Sequence, residues 1–290
     1  MKLYPNCKIN LGLRVVRKRA DGYHDLETIF VPVYGLHDEL IVESRKTKEK
    51  SIISFEQEGI AVDCKAEDNL IVKCYHLFAK KYEAMESVVI RFKKNIPFGA
   101  GLGGGSSDAA HMTIALNELF KLGLSKEELA KEVTPLGADC AFFIYNVPCF
   151  AEGIGDQLTP IELDLKGTRI VMIKPEEGVS TKEAYSGIRI SGKGFGDLDN
   201  LDDLDILENL DKFQNDFEKT VFPLHPIIGE IKKRLLDAGA FYASMSGSGS
   251  TVFGLFKDDP KGSTDTKLAA LKEEFASMVL LDDAFGEWKA

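Results

Sequence analysis

No Cys-x-x-Cys pair occurs in this chain, and its five cysteines (Cys7, Cys64, Cys74, Cys140, Cys149) are odd in number and widely scattered. That spacing excludes a zinc-ligand set and a disulfide framework. Reduced thiols in a cytoplasm fit it instead. Cys140 stands beside Asp139 with no His nearby, so a buried structural thiol is expected rather than a nucleophile. Positive charge is also short: 36 Lys and Arg face 46 Asp and Glu, a net charge of −10. A general nucleic-acid surface needs clustered cations, so that class of partner is set aside. A small phosphorylated ligand needs only a local positive field and stays open. No apolar run approaches the length needed to span a bilayer. The opening MKLYPNCKINLGL lacks the pattern of an export signal and the Arg- and Ser-rich make-up of an organelle leader. A cytoplasmic protein without a membrane partner is therefore expected.

What is present reads as mixed α and β structure. Runs at Leu40–Glu43, Ile52–Phe55 and Val88–Phe92 are expected strands. Leu70, Ile71, Cys74, Leu77 and Phe78 recur at helical spacing behind Asp68-Asn69, which can cap. A further helix carries Ala110, Ile114, Leu119 and Phe120 and is closed by Gly123, and Ser125 with Glu128 forms a capping box for the next. Pro226–Gly239 reads as an amphipathic helix, followed by a Gly/Ser turn and a strand within Ala243–Phe256. At 290 residues two domains are comfortable, and a boundary is expected between residues 155 and 165, giving 1–158 and 159–290. The acidic stretch Gly192–Lys212 lacks calcium-loop spacing and reads as a solvated loop or helix face.

The densest signal is Pro97–Ala110, PFGAGLGGGSSDAA, with five glycines between Gly99 and Gly105. Glycine backbone can bring its amides against a ligand, and Ser106, Ser107 and Asp108 then open a helix whose free amides favour negative charge. A flexible amide-rich loop feeding a helix is a phosphate cradle. Gly99, Gly101 and Gly104 satisfy G-x-G-x-x-G, but the next element is another helix rather than a strand with an acidic residue, which excludes a dinucleotide fold. No Lys precedes Ser, so a Walker loop is excluded too, and the companion motifs of protein kinases are missing.

The loop Pro-x-Gly-x-Gly-Leu-Gly-Gly-Gly-Ser-Ser resembles the phosphate loop of the GHMP kinases, the family of galactokinase, homoserine kinase and mevalonate kinase. Two further family motifs follow the family's order: Cys7–Leu13 (CKINLGL) and Met245–Thr251 (MSGSGST). Within the family, Lys8–Phe30 and Leu136–Phe143 (LGADCAFF) are similar to a branch that phosphorylates the 2-hydroxyl of a cytidine diphosphate ester of methylerythritol, on the non-mevalonate route to isoprenoid precursors. In the second segment Cys140-Ala141 replaces Val-Pro and leaves Asp139 intact. The resemblance implies an α+β, two-domain fold: an N-terminal ribosomal-protein-like nucleotide domain and a C-terminal ferredoxin-like domain.

It also implies ATP and Mg2+ as cofactors and a role for each matched residue. Asp139 is the expected base for the attacking hydroxyl, and Lys8 its catalytic partner, pairing with it and polarising that hydroxyl. Pro97, Gly99, Gly101, Leu102, Gly103, Gly104, Gly105, Ser106 and Ser107 would cradle the nucleotide, with Lys94 nearby; Ser106 or Ser107 could reach the metal, for which no other ligand is assigned. Tyr23 and His24 would hold cytosine by stacking and hydrogen bonding, with Tyr185 on the opposite face and Thr181 and Asn10 also at the substrate. Asn215-Asp216 matches a recurrent family segment to which no role attaches. Monomer and homodimer are equally compatible with the sequence. Two competing readings are another GHMP kinase, acting on homoserine or a sugar, and a non-catalytic ligand sensor on the same fold. DGYH and LGAD disfavour the first, and the presence of both Lys8 and Asp139 disfavours the second.

Overall fold

Alternation decides which side chains of each strand turn inward, and it shapes the first half of the chain. The computed structural model describes residues 1–47, 50–61, 64–188, 190, 192, 194–195, 206–257 and 263–285, with backbone only at 263–265. Most of the acidic stretch at 192–212 therefore lies outside the described residues. In chain order the elements are β1 (Lys2–Leu3), β2 (Asn6–Lys18), β3 (His24–His37), β4 (Glu39–Arg45), β5 (Ile52–Gly59), α1 (Leu70–Lys81), β6 (Ser87–Lys94), α2 (Gly104–Phe120), α3 (Lys126–Val133), α4 (Cys140–Tyr145), β7 (Cys149–Glu152), β8 (Gln157–Pro160), β9 (Thr168–Ile173), α5 (Thr181–Ser186), α6 (Glu218–Leu224), α7 (Pro226–Asp237), β10 (Tyr242–Met245), β11 (Val252–Lys257), α8 (Ser263–Glu274) and β12 (Val279–Ala284). Among the described residues no helix is long and apolar enough to cross a membrane.

The chain divides into two compact units, one of Met1–Lys8, Leu36–Phe98 and Gly103–Val147, the other of Ile9–Gly35, Gly99–Leu102 and Pro148–Ala290. The first holds a sheet of order β1-β4-β6-β5, in which β5 and β6 are parallel and joined through α1. A parallel pair needs such a crossover. Asn69 caps α1 by accepting from the Ile71 amide, and the helix buries Ile71, Val72, Cys74, Tyr75 and Phe78. On β6, Val88, Ile90, Phe92 and Lys94 are buried while Arg91 and Lys93 are exposed. The same alternation that buries three apolar residues thus carries Lys94 inside.

Two helix limits differ from the sequence expectation. Helix α2 begins at Gly104, two residues before Ser106, because Gly103 at φ +69° turns the chain into it and the Ser107 amide already bonds back to Gly103 O. It ends at Phe120 rather than at Gly123: Lys121 takes the left-handed conformation (φ +51°), and Asn117 receives the chain beyond it through Leu124. The capping box of Ser125 and Glu128 is present on α3. In the second unit, β9, β10, β11 and β12 form an antiparallel sheet of order β10-β11-β9-β12. With α7 before β10 and α8 before β12, this is the split βαβ arrangement of a ferredoxin-like fold. Val171, Ile173, Val252 and Phe256 of that sheet share a core with Phe217, Val221, Ile228, Ile231 and Leu235. A second sheet of order β2-β3-β7-β8 completes the unit.

Candidate active site

In the first unit, three sequence-distant residues meet. Lys8 on β2 is buried, and its Nζ lies 3.5 Å from Asp139 Oδ2. Asp139 stands immediately before α4, and a third of its side chain is open to solvent (32%). Gly103 closes on the same place: a Cβ there would lie 3.0 Å from the Phe143 ring and 3.2 Å from Lys8 Cε. Only a glycine lets the loop backbone approach so near at φ +69°. The first i→i−4 bond of α2 runs from the Ser107 amide to Gly103 O, so the amides of Gly104, Gly105 and Ser106 precede the helical ladder and can face an anion. Ser106 is half-buried, whereas Ser107 is fully buried with its hydroxyl 3.3 Å from His111 Nδ1. Burial holds the His111 imidazole below its usual range.

Lys94 is placed differently from a side chain reaching for a phosphate. Its Nζ donates to Asp38 Oδ2 at 2.5 Å and Asp108 Oδ2 at 2.8 Å, and all three residues are buried. Burial pushes the Lys94 ammonium down, but the carboxylates of Asp108 and Asp38 outweigh it and leave the pKa raised. Burial dominates for Asp108, whose carboxyl is raised well above its usual range; its Oδ1 has no hydrogen-bond partner. Asp38 Oδ1 accepts from the amides of Asn95 and Ile96. A Cβ on Gly104 would meet Ile96 Cγ2 at 2.8 Å and Lys94 Nζ at 3.0 Å. The triad therefore fastens the end of β6 to the first turn of α2, beneath the glycine loop. Sequence reading overlooked Asp38, although an inward Lys after Val88, Ile90 and Phe92 demands a buried carboxylate.

The second unit gathers most of the remaining residues into two groups. In one, Gly101 (φ +75°) packs on the turn after β10: Ser246 Oγ donates to Gly101 O at 2.9 Å, and a Cβ on Gly101 would lie 2.0 Å from Ser246 O. Asn10 belongs here, with its Nδ2 donating to Thr28 Oγ1 and its Oδ1 3.4 Å from Ser246 Oγ. Gly99 (φ +63°) is open, with nothing near a Cβ, and Leu102 is buried. In the other group, Asp21 and Gly22 turn β2 into β3, and Asp21 Oδ1 accepts from the Tyr23 amide at 3.0 Å. Tyr23 is 63% exposed. His24 stacks on Tyr185 with centroids 4.6 Å apart, and Tyr185 stands edge-on to Phe217 at 4.8 Å. Burial, then Lys18, lowers the His24 pKa, so the ring is neutral at neutral pH. Thr181 opens α5 and is exposed. Pro97 lies in the first unit, half-buried ahead of the loop.

Cys7, Cys74, Cys140 and Cys149 are buried and Cys64 exposed, all as free thiols. Burial pushes the Cys140 thiol up to about 12, which removes it as a nucleophile. No group of three or more His, Cys, Asp or Glu suited to a metal occurs among the described residues.

Residues 69–147 match the family profile "GHMP kinases N terminal domain", and residues 197–276 match "GHMP kinases C terminal". The 4-diphosphocytidyl-2-C-methyl-D-erythritol kinase of Azobacteroides pseudotrichonymphae is 49% identical over 89% of this chain and 94% of its own length. The enzyme of that name from Bacteroides thetaiotaomicron is 48% identical over 90% and 93%. A crystal structure of a 4-(cytidine 5'-diphospho)-2C-methyl-D-erythritol kinase superimposes with a TM-score of 0.77 at 30% identity, covering 96% of each chain. A homoserine kinase from Cytophaga hutchinsonii shares the fold, with a TM-score of 0.67 at 19% identity over 94% and 90%.

Proposed function

This chain belongs to the 4-diphosphocytidyl-2-C-methyl-D-erythritol kinases of the GHMP family, and from that membership we propose that it transfers the γ-phosphoryl group of ATP to the substrate's 2-hydroxyl, in the cytoplasm, on the non-mevalonate route. The observation that carries the reading is the pairing of buried Lys8 with partly open Asp139 at 3.5 Å, against the Gly103 backbone. Phosphoryl transfer needs little covalent work from a protein beyond positioning and charge stabilisation. Asp139 accepts the hydroxyl proton or holds the hydroxyl in line. Lys8 sets a positive charge beside the negative charge that develops on the attacking oxygen. The amides from Gly99 to Ser106 hold the triphosphate, and Lys94 serves the nucleotide through the loop it braces.

Magnesium supplies charge neutralisation on the transferring phosphoryl group when bound. It takes most of its ligands from phosphate oxygens and water, so one or two protein oxygens suffice. The half-buried hydroxyl of Ser106 fits that donor set better than Ser107, which faces His111. The substrate's cytosine is held by His24, Tyr23 and Tyr185, with Thr181 as a further polar contact, while Asn10 serves the substrate from the group around Gly101 and Ser246. Base-on-aromatic stacking contributes roughly 1–3 kcal/mol, and a neutral imidazole can both donate and accept toward a pyrimidine edge. Pure protein given ATP, magnesium and the cytidine diphosphate ester is expected to form ADP and the 2-phosphate; absence of turnover would overturn the reading.

A further inference from the structure

Asn215–Glu218, NDFE, reaches the assigned residues at two places: Asn215 at the turn after β10, and Phe217 at the Tyr185 ring. Asn215 is 1% exposed. Its Nδ2 donates to Met245 O at 2.7 Å and Gly247 O at 2.8 Å, while its Oδ1 accepts from the Phe217 amide at 3.0 Å. Glu218 Oε1 accepts from the Met245 amide at 2.9 Å and Ser244 Oγ at 3.1 Å. The Ser246–Gly249 turn is thereby held on its carbonyl side by Asn215 and at its root by Glu218, and it is this turn that supports Gly101 through Ser246. Asp216 fixes the segment itself: its Oδ2 accepts from the Val15 amide, its Oδ1 from Arg14, and its amide donates to Leu13 O. Phe217 leads elsewhere, standing edge-on beneath the Tyr185 ring that stacks on His24.

We propose that Asn215 and Phe217 are positioning residues for the reaction, Asn215 setting the first half of the glycine loop through the Ser246–Gly249 turn and Phe217 setting the cytosine-facing ring of Tyr185. The proposal rests on the functional reading above. Two positions apart in sequence, the two residues serve different substrates, and that is what separates positioning from mere stability. Asn215 suits its place because two carbonyls face one amide group; an isosteric Asp would set oxygen against oxygen there.

The test is steady-state kinetics on the full chain, varying ATP and the cytidine substrate in turn, with melting temperatures recorded alongside. Asn215→Asp is expected to lower kcat/KM for ATP by about tenfold or more, the loss of one charge-opposed buried hydrogen-bond pair, with KM for the cytidine substrate within about twofold of wild type. Its activity relative to wild type should rise as pH falls, since a protonated carboxyl can donate to one of the two carbonyls again. Phe217→Leu should raise KM for the cytidine substrate by roughly three- to tenfold, the worth of one aromatic contact, and leave KM for ATP unchanged. If Asn215→Asp does not fold, Asn215→Ser, which keeps one donor, carries the same measurement. Folded variants with wild-type parameters, or variants that lose both substrates in proportion to their melting temperatures, overturn the proposal. A wild type without turnover would instead overturn the functional reading.

Discussion

Asp139 keeps a third of its side chain open to solvent while Lys8, its partner, is buried. In the proposed reaction the exposed member is the one assigned to the substrate proton, and the buried member the one assigned to supply charge. Asp139→Ala is therefore expected to bind ATP nearly as wild type does and to lose turnover by about 10²–10⁴-fold, the usual worth of a positioned acid–base group. Nucleotide titration beside a turnover assay checks it, and retained activity would remove Asp139 from its role. Gly101 offers a separate residue-scale prediction. At φ +75°, with Ser246 O 2.0 Å from a Cβ, Gly101→Ala must displace backbone against backbone. Affinity for ATP should fall, with a stability cost of at least about 1–2 kcal/mol from the left-handed conformation alone. Calorimetry of nucleotide binding and a denaturant melt measure the two effects. Gly99→Ala, with open space at its Cβ, is expected to show only the conformational part.

At the scale of elements, the fastening of β6 to α2 is the feature with most at stake. Lys94 donates to two buried carboxyl groups and is the cation between them, and removing one partner from a buried ionic group costs about 3–5 kcal/mol. Lys94→Met should destabilise by about that much in urea, whereas Asp108→Asn should cost far less, because Asp108 already carries an unpartnered Oδ1 and a raised pKa. Equal losses from the two variants would contradict the triad as described. Helix α5, which carries Tyr185, is tied by His225: Nδ1 lies 2.9 Å from Glu177 Oε2 and Nε2 3.4 Å from Glu183 Oε1. Hydrogen bonding to Glu177, ahead of the Glu183 contribution, raises the His225 pKa above its ordinary 6.5. A raised folded-state pKa gives stability that is complete below 6.5 and disappears as pH climbs through the folded value. Melting temperatures of wild type and His225→Gln should accordingly differ at acidic pH and converge at alkaline pH. Elements with strong local signals were legible in sequence: the Asn69 cap, the Ser125–Glu128 box and the alternation on β6 each fix their element by short-range chemistry. The C-terminus of α2 was not, because Lys121 adopts a left-handed conformation that composition assigns to Gly123, and the stop is held by backbone bonds to Asn117 O and Glu118 O together with the Asn117 side chain on Leu124.

For the molecule as a whole, what patterning could not reach was pairing across long separations. Nothing in the local sequence of Asp38 announces Lys94, 56 residues away, and nothing in NDFE announces carbonyls 30 and 32 residues beyond Asn215. The motifs were legible because phosphate binding constrains consecutive residues; their supports were not, because packing constrains residues only in space. The chain's membership of the 4-diphosphocytidyl-2-C-methyl-D-erythritol kinases stands on its likeness along nine-tenths of its length, and the Lys8–Asp139 pair is the proposed seat of its chemistry. The most direct measurement is a competition of acceptors: wild-type protein with ATP and magnesium, supplied in parallel with the cytidine diphosphate ester, homoserine and mevalonate. The account predicts ADP release and a new 2-phosphate monoester with the cytidine compound alone. Phosphorylation of homoserine or mevalonate in preference to it, or no phosphorylation of any acceptor, would contradict the account.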